Sequence, residues 1–461
     1  MKNIWILTEE MPKSNVIEVI LGRIASDCKL PISADKLRIL PIMENDRFVF
    51  KYKIENITCG SIDSVFIKMV SGSSSFVDFL IFIQESEPDQ NSVPLYAIEE
   101  TKTDDSESRN TGVYQRCSKF VYVDFYYPDI KKIMLYNLLV PQKEKPTQTN
   151  IFGMRMLKTI GVEVLGKICS EEVLTPFSNL NELIEFKNSM RMPPAGNTPI
   201  KISASPNSIK VSGRLFKSGG LSHDPNIGAL SIIAACIRKW EKEKDIIITF
   251  HGLKQKHVGK NNKFIQIANK INIKLDGLKI PATTDHESYW HYELSQEKVA
   301  TIFMHIALLA YTDSEIIYAN HGGAERSYFV HRTQELLAIP KYQQGKKKFY
   351  KAGNKKMIIF LPDMIVYDKK RNEVVDVEGK KFTTRKAGIS ELKNFSYIDN
   401  KIIRPSYDPD SIARTVVVFG GKEKSVLEKQ ISFVLNEYGE LLLGKEAPEC
   451  FKEVVKKLLG R

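Results

Sequence analysis

Apolar residues recur along this chain with two periods, and the alternation between them sets the first expectation of the fold. Val16, Ile17, Val19, Ile20 and Ile24 fall on one helical stripe, which predicts a helix over 15–28. Short apolar runs then predict strands at 48–54, 65–70, 77–83 and 95–101, a helix over 109–126 and a buried strand at 132–139. Alternation over 199–215 predicts a hairpin. Amphipathic helices are expected over 228–242 and 296–309, with a buried strand at 245–250 between them. Farther on, 357–366, 373–379 and 414–419 read as strands, 387–398 as a helix, and 425–436 and 450–459 as closing helices. Helices interleaved with apolar strands predict an α/β or α+β architecture of mixed β-sheets flanked by helices.

The pattern breaks twice. Pro141 to Asn150 is a polar connector with two prolines, and Met192 to Pro199 is rich in proline and glycine. These breaks predict an N-terminal module over 1–140, a bridge over 141–199 and a C-terminal region over 200–461 whose last part, from about 320, forms a second module. With 461 residues, 43% hydrophobic and 26% charged, the chain has the makeup of a globular protein rather than a disordered one. No apolar run approaches the ~18–20 residues that cross a bilayer, so no membrane partner is expected. The N-terminal Ile4–Leu7 stretch ends in acids and does not read as a secretory signal. Six cysteines without a CxxC pair argue against a zinc ribbon or a disulfide scaffold and fit a reducing cytoplasm.

Charge changes the picture more than composition does. The chain carries 67 Lys/Arg against 55 Asp/Glu, a net charge of +12. From Lys341 to Lys386 there are 14 bases against 5 acids, and from Gln84 to Arg109 there are 8 acids against 2 bases. Basic stretches beside isolated acids suit a site that holds a phosphate backbone and a hard metal ion together.

Two constellations carry candidate chemistry. In the first, an apolar strand reaches Pro362-Asp363, a polar turn spans Asp368 to Asn372, and a second strand carries Asp376, Glu378 and Lys380. Side chains alternate along a strand, so Glu378 and Lys380 share a face on which Asp363 of the neighbouring strand can join them. Mg²⁺ takes oxygen ligands and usually only one or two protein carboxylates, which Asp363 and Glu378 supply; Lys380 can orient the attacking water or stabilise charge on a phosphate. In the second, Asp78 opens an apolar strand and Glu100 follows 22 residues later with Lys102 on its face. A helix carrying Gln115, Arg116 and Lys119 and a further strand come next, in the same order of elements. A surface ion pair is the plainer reading of any acid–x–Lys tripeptide.

These motifs resemble the PD-(D/E)XK nuclease superfamily, to which most type II restriction endonucleases belong. The resemblance covers about 355–420 and, with no proline before its Asp and a longer hairpin, the N-terminal set. It implies a Mg²⁺-dependent, site-specific double-stranded DNA endonuclease, with Mn²⁺ able to substitute, in which Asp363, Glu378, Asp78 and Glu100 hold metal and Lys380 and Lys102 complete the two centres. Two active modules would allow a monomer to cut both strands; a single active module would call for a homodimer. The alternatives are one catalytic module beside a DNA-reading one, or a non-enzymatic nucleic-acid-binding protein. Lys346, Lys347, Lys348, Lys355, Lys356, Arg385 and Arg116 are the residues offered to DNA phosphates. Glu325 is a candidate for the helix acid that such folds often bring near the metal. His251 reads as a phosphate or base contact or as a structural histidine; the Asp285–Glu293 cluster with His286 and His291 fits base contact or a packed surface cluster better than a metal site; and beside His223, Asp224 or Asn226 reads as the cap of the helix that follows.

Overall fold

The computed structural model describes residues 2–72, 76–101, 112–136, 148–165, 175–190, 200–214, 225–259, 263–282, 289–291, 297–320, 328–338, 360–426 and 428–460. The first part of the chain forms β1 (Lys2–Thr8), α1 (Ser14–Cys28), β2 (Ile32–Glu44), β3 (Arg47–Cys59) and β4 (Ile62–Met69). Next come β5 (Phe79–Gln84), β6 (Tyr96–Thr101), α2 (Gly112–Tyr126), β7 (Lys131–Tyr136), α3 (Gln148–Thr159), β8 (Val162–Leu165) and α4 (Leu180–Ser189). The middle of the chain forms β9 (Lys201–Ala204), β10 (Ser208–Arg214), α5 (Pro225–Trp240), β11 (Asp245–His251), α6 (Lys263–Lys270) and β12 (Ile273–Leu275). The C-terminal part forms α7 (Val299–Tyr311), β13 (Glu315–Ala319), β14 (Met364–Asp368), β15 (Glu373–Lys381), α8 (Arg385–Glu391), β16 (Ser411–Phe419), β17 (Ile431–Leu435), β18 (Leu441–Leu443) and α9 (Glu449–Leu458). The architecture is mixed α/β, with mixed sheets flanked by helices. Among the described residues no helix is long and apolar enough to cross a membrane.

The chain divides into two units that do not follow the linear division into modules and bridge. One comprises Met1–Val70, Gln84–Ser86 and Tyr292–Arg461, the other Ser71–Ile83 and Glu87–His291. The physical reason lies in α7. It is apolar all round and almost wholly buried, and Phe303 on it lies 4.8 Å from the Phe48 ring and 5.7 Å from the Phe433 ring. The N-terminal strands therefore share a core with the C-terminal sheet.

In the first unit β2, β3, β4 and β1 lie side by side, antiparallel except for the parallel β4–β1 pair. Its second sheet runs β13-β14-β15-β16-β17-β18. The β13–β14 and β14–β15 pairs are antiparallel, and β15–β16 and β16–β17 are parallel. A parallel pair needs a crossover, which the helical segment from α8 to Tyr407 provides. Leu392 and Phe395 of that segment pack on Val416 and Val418 of β16. Residues 425–436, read as a helix, instead contain strand β17. All five of its residues are buried, and a short run with no polar face fits either period.

The second unit holds strands in the order β5-β6-β7-β8, with β5–β6 antiparallel and the others parallel. A second sheet runs β9-β10-β11-β12. The described part of the expected bridge holds α3, β8 and α4.

Candidate active site

β14 and β15 build the first site. Met364–Val377 is the last pair of the antiparallel ladder, and Asp363 and Glu378 are the residues just beyond it on the two strands. The Asp363 backbone is held on both sides: its N–H donates to Val377 O at 3.0 Å, and its carbonyl accepts from Asn320 N–H at 2.8 Å. Its carboxylate accepts from the Gly379 N–H at 2.8 Å. Gly379 is required here, because a Cβ would lie 2.2 Å from Thr301 Oγ1 on α7. On the other side of β15, the stem of Lys380 runs over Gly388 of α8, where a Cβ would meet Lys380 Cγ at 2.6 Å.

Lys380 Nζ lies 2.5 Å from Glu378 Oε1, 3.0 Å from Glu391 and 3.6 Å from Glu297. Burial, and then the charge of Asp363, push Glu378 up to about 8. Burial likewise lifts Asp363 to about 6, against the Gly379 hydrogen bond and the Lys380 charge. Burial acts to lower Lys380, but the hydrogen bonds and charges of Glu378 and Glu391 outweigh it and raise the ammonium's pKa. The cluster thus has more carboxylate than its one lysine neutralises.

Glu297 and Glu391 were not picked out from the sequence. Glu297 sits just ahead of an apolar helix, where an acid is ordinary, and Glu391 ends α8. Glu325 lies outside the described residues, as do Lys346, Lys347, Lys348, Lys355 and Lys356. Arg385 is engaged within the unit: it pairs with Glu428 at 2.8 Å and stacks on Phe382 with 3.8 Å to the ring centroid. Asp376, one pleat back from Glu378, is fully buried beside Asp399, which pairs with Arg414. Burial raises the Asp376 pKa well above the usual range, with the Asp399 hydrogen bond and charge adding to it.

The second unit repeats this arrangement with different residues. Phe79–Ile98 is the last pair of the β5–β6 ladder, and Asp78 and Glu99 are the residues just beyond it on the two strands. Asp78 accepts from the Glu100 N–H at 2.7 Å, while its own N–H donates to Glu99 Oε2 at 3.1 Å. Lys119 Nζ, on α2, lies 2.7 Å from Glu99 Oε1 and 3.6 Å from Asp78. Arg116, one turn earlier, is 3.7 Å from Glu99 and is buried. Glu100 is buried as well, and Lys102 lies outside the described residues. Burial, and then the Asp78 charge, raise Glu99 to about 7 against Lys119 and Arg116. Buried Lys263 on α6 is pushed down to about 7 by burial and then by the Lys119 charge. Upstream, Val77 N–H donates to Tyr289 Oη at 2.9 Å, which fixes the chain entering β5.

The remaining candidates are dispersed. His251 ends β11 and is exposed. His223, Asp224 and His286 lie outside the described residues, as do the side chains of Asn226 and His291.

The carboxylate pairs offer oxygen ligands only, which is the donor set of a hard cation. Among the described residues no group of three or more His, Cys, Asp or Glu converges on one point. A cation here would therefore draw most of its ligands from water and substrate. No protein-family model, no curated protein and no solved structure matches the chain.

Proposed function

We propose that the chain is a Mg²⁺-dependent endonuclease of double-stranded DNA, resembling the PD-(D/E)XK nucleases, which works in a reducing cytoplasm and cuts as a monomer through two modules. The observation that carries the reading is that Asp363 and Glu378 lie just beyond the last pair of the β14–β15 ladder, with the Asp363 carboxylate on the Gly379 N–H at 2.8 Å and Lys380 2.5 Å from Glu378. The order α7-β13-β14-β15-α8-β16 supports it, since it sets an Asp and an acid–x–Lys on adjacent strands with a helix and a parallel strand following. Five cysteines among the described residues are unpaired, which suits a reducing compartment.

Asp363 and Glu378 would hold the ion. When bound, Mg²⁺ supplies charge neutralisation at the phosphate and a more acidic water. Lys380 remains charged at neutral pH, so it donates to the attacking water or to a phosphate oxygen. The Gly379 N–H keeps Asp363 turned toward β15, and Glu391 and Glu297 keep Lys380 at the strand's end. Cleavage of mixed-sequence duplex DNA in Mg²⁺, lost in EDTA and in Asp363→Asn with Asp78 intact on one strand only, tests the reading; equal cleavage in EDTA refutes it.

A further inference from the structure

We propose that Lys119, delivered by helix α2, is the catalytic cation of a second phosphodiester-cleaving centre whose carboxylates are Asp78 and Glu99. The proposal rests on the nuclease reading of the first unit and assigns the residues of the second.

The two units share one set of relations. In both units an Asp and a Glu lie just beyond the last pair of an antiparallel ladder, Asp363 and Glu378 after Met364–Val377, and Asp78 and Glu99 after Phe79–Ile98. In both, the Asp carboxylate accepts from the backbone N–H of the residue after that Glu, at 2.8 and 2.7 Å. In both, the next strand runs parallel to the Glu-bearing strand, β16 to β15 and β7 to β6, after a helix. These relations fix the correspondence: Glu99 matches Glu378, Glu100 matches Gly379, and Thr101 occupies the strand position of Lys380.

A threonine cannot provide the ammonium. The structure supplies one from the crossover helix instead: Lys119 Nζ reaches Glu99 at 2.7 Å, as Lys380 reaches Glu378 at 2.5 Å, and adds a 3.6 Å contact to Asp78. Arg116 lies on the same face of α2, one turn back, and braces Glu99. Glu99 and Asp78 are almost closed off, whereas the Lys119 side chain retains 26% of its exposure, so the centre opens to solvent through its lysine. That is the direction from which a phosphate would have to enter.

In the reaction, water oxygen forms a bond to phosphorus and one P–O bond to a deoxyribose oxygen breaks. One proton of the water ends on the released hydroxyl and the other passes to solvent. Lys119 acts by donating to the phosphate oxygens as charge builds on them.

The test uses the full-length chain in an Asp363→Asn background, with a supercoiled plasmid and strand-labelled duplexes. That background is expected to nick one strand. Adding Lys119→Met or Glu99→Gln should lower the remaining nicking about a hundredfold or more. Retained nicking in both would overturn the proposal, as would loss confined to Glu100→Gln and Lys102→Met, which would place the centre one residue along the strand. Mn²⁺ titration followed by electron paramagnetic resonance is independent of cutting and of the fold of the Lys119 variant. The wild type should bind one ion in each unit, and the isosteric Glu99→Gln should lose only the ion that survives in Asp363→Asn. A wild type that binds Mn²⁺ solely through Asp363 overturns the second centre. A wild type that binds both ions but cuts no DNA sinks the nuclease reading while leaving the Asp78–Glu99 ion site in place.

Discussion

A methyl group added at Gly379 would stand 2.2 Å from Thr301 Oγ1, 3.4 Å from Thr301 Cβ and 3.2 Å from Asp363 Oδ2. Thr301 is fully buried on α7, a helix packed on all sides, so the first contact cannot be relieved by swinging a side chain into solvent. Either α7 or β15 must move. Overpacking of this kind costs about 1–3 kcal/mol, or about 2–4 °C of melting temperature per kcal/mol for a unit of this size. The partner change decides whether the cause is right. Thr301 Oγ1 is buried without a hydrogen-bond partner, so Thr301→Ala forfeits no bond and costs about 1 kcal/mol of lost apolar burial. It also removes the atom that the new methyl would strike. The double variant Gly379→Ala/Thr301→Ala should therefore melt close to Thr301→Ala alone, with a coupling of about 1–2 kcal/mol. Calorimetry on the four proteins measures it. Strict additivity, or a Gly379→Ala protein as stable as wild type, would refute the close approach of α7 to β15 on which the placement of Asp363 depends.

Other outcomes follow from the same geometry. Gly388→Ala should gain helix propensity of about 1 kcal/mol yet lose cleavage, because its methyl displaces the Lys380 stem; paired melting and plasmid assays check that activity falls while stability holds. Buried His305 is pushed down to about 3, chiefly by burial and then by the Lys13 charge. The folded state therefore keeps it neutral while the unfolded chain takes up a proton below about pH 6.5. Its contribution is whole above that pH and fades as the pH falls toward 3, so wild type should lose about 2 kcal/mol relative to His305→Gln between about pH 6.5 and 5. Denaturant titrations at the two pH values measure this, and equal losses in both proteins would contradict it. DNA affinity should fall several hundredfold between about 50 and 200 mM salt if Lys346, Lys347, Lys348, Lys355 and Lys356 meet five phosphates; a flat salt profile would move the DNA face elsewhere.

Much of the first site was legible because it depends on local alternation. Glu378 and Lys380 share a face in any strand, and the apolar residues around them make 373–381 a strand with little ambiguity. The neighbours Glu297 and Glu391 were hidden, since only tertiary packing brings α7 and α8 to the same strand end. In the second unit the doublet Glu99-Glu100 left the face undecided. Alternation places one of the two beside Asp78 but does not say which, and the choice is made by the Phe79–Ile98 pairing across a long hairpin. Lys119 was visible on its helix, but nothing in a helical stripe reports which strand residue it meets. Strand β2 was missed because Asp35, Lys36 and Pro41 interrupt the alternation of Leu37 and Ile39. The ladder shifts register between Ala34 and Arg38, and Lys36 has φ 44°. The two units differ from the linear division for a related reason: the shared core around Phe48, Phe303 and Phe433 joins segments up to more than 250 residues apart, a distance no local pattern records.

The central claim is that Asp363, Glu378 and Lys380 cleave duplex DNA with a divalent ion, and its most direct test is incubation of the purified chain with long unmodified genomic DNA in Mg²⁺, in Ca²⁺ and in EDTA, beside the Asp363→Asn/Asp78→Asn double variant. Discrete fragments from the wild type in Mg²⁺ alone, and none from the double variant, are the expected result. Intact DNA from the wild type in Mg²⁺, or fragments that persist in EDTA or in the double variant, would contradict the account.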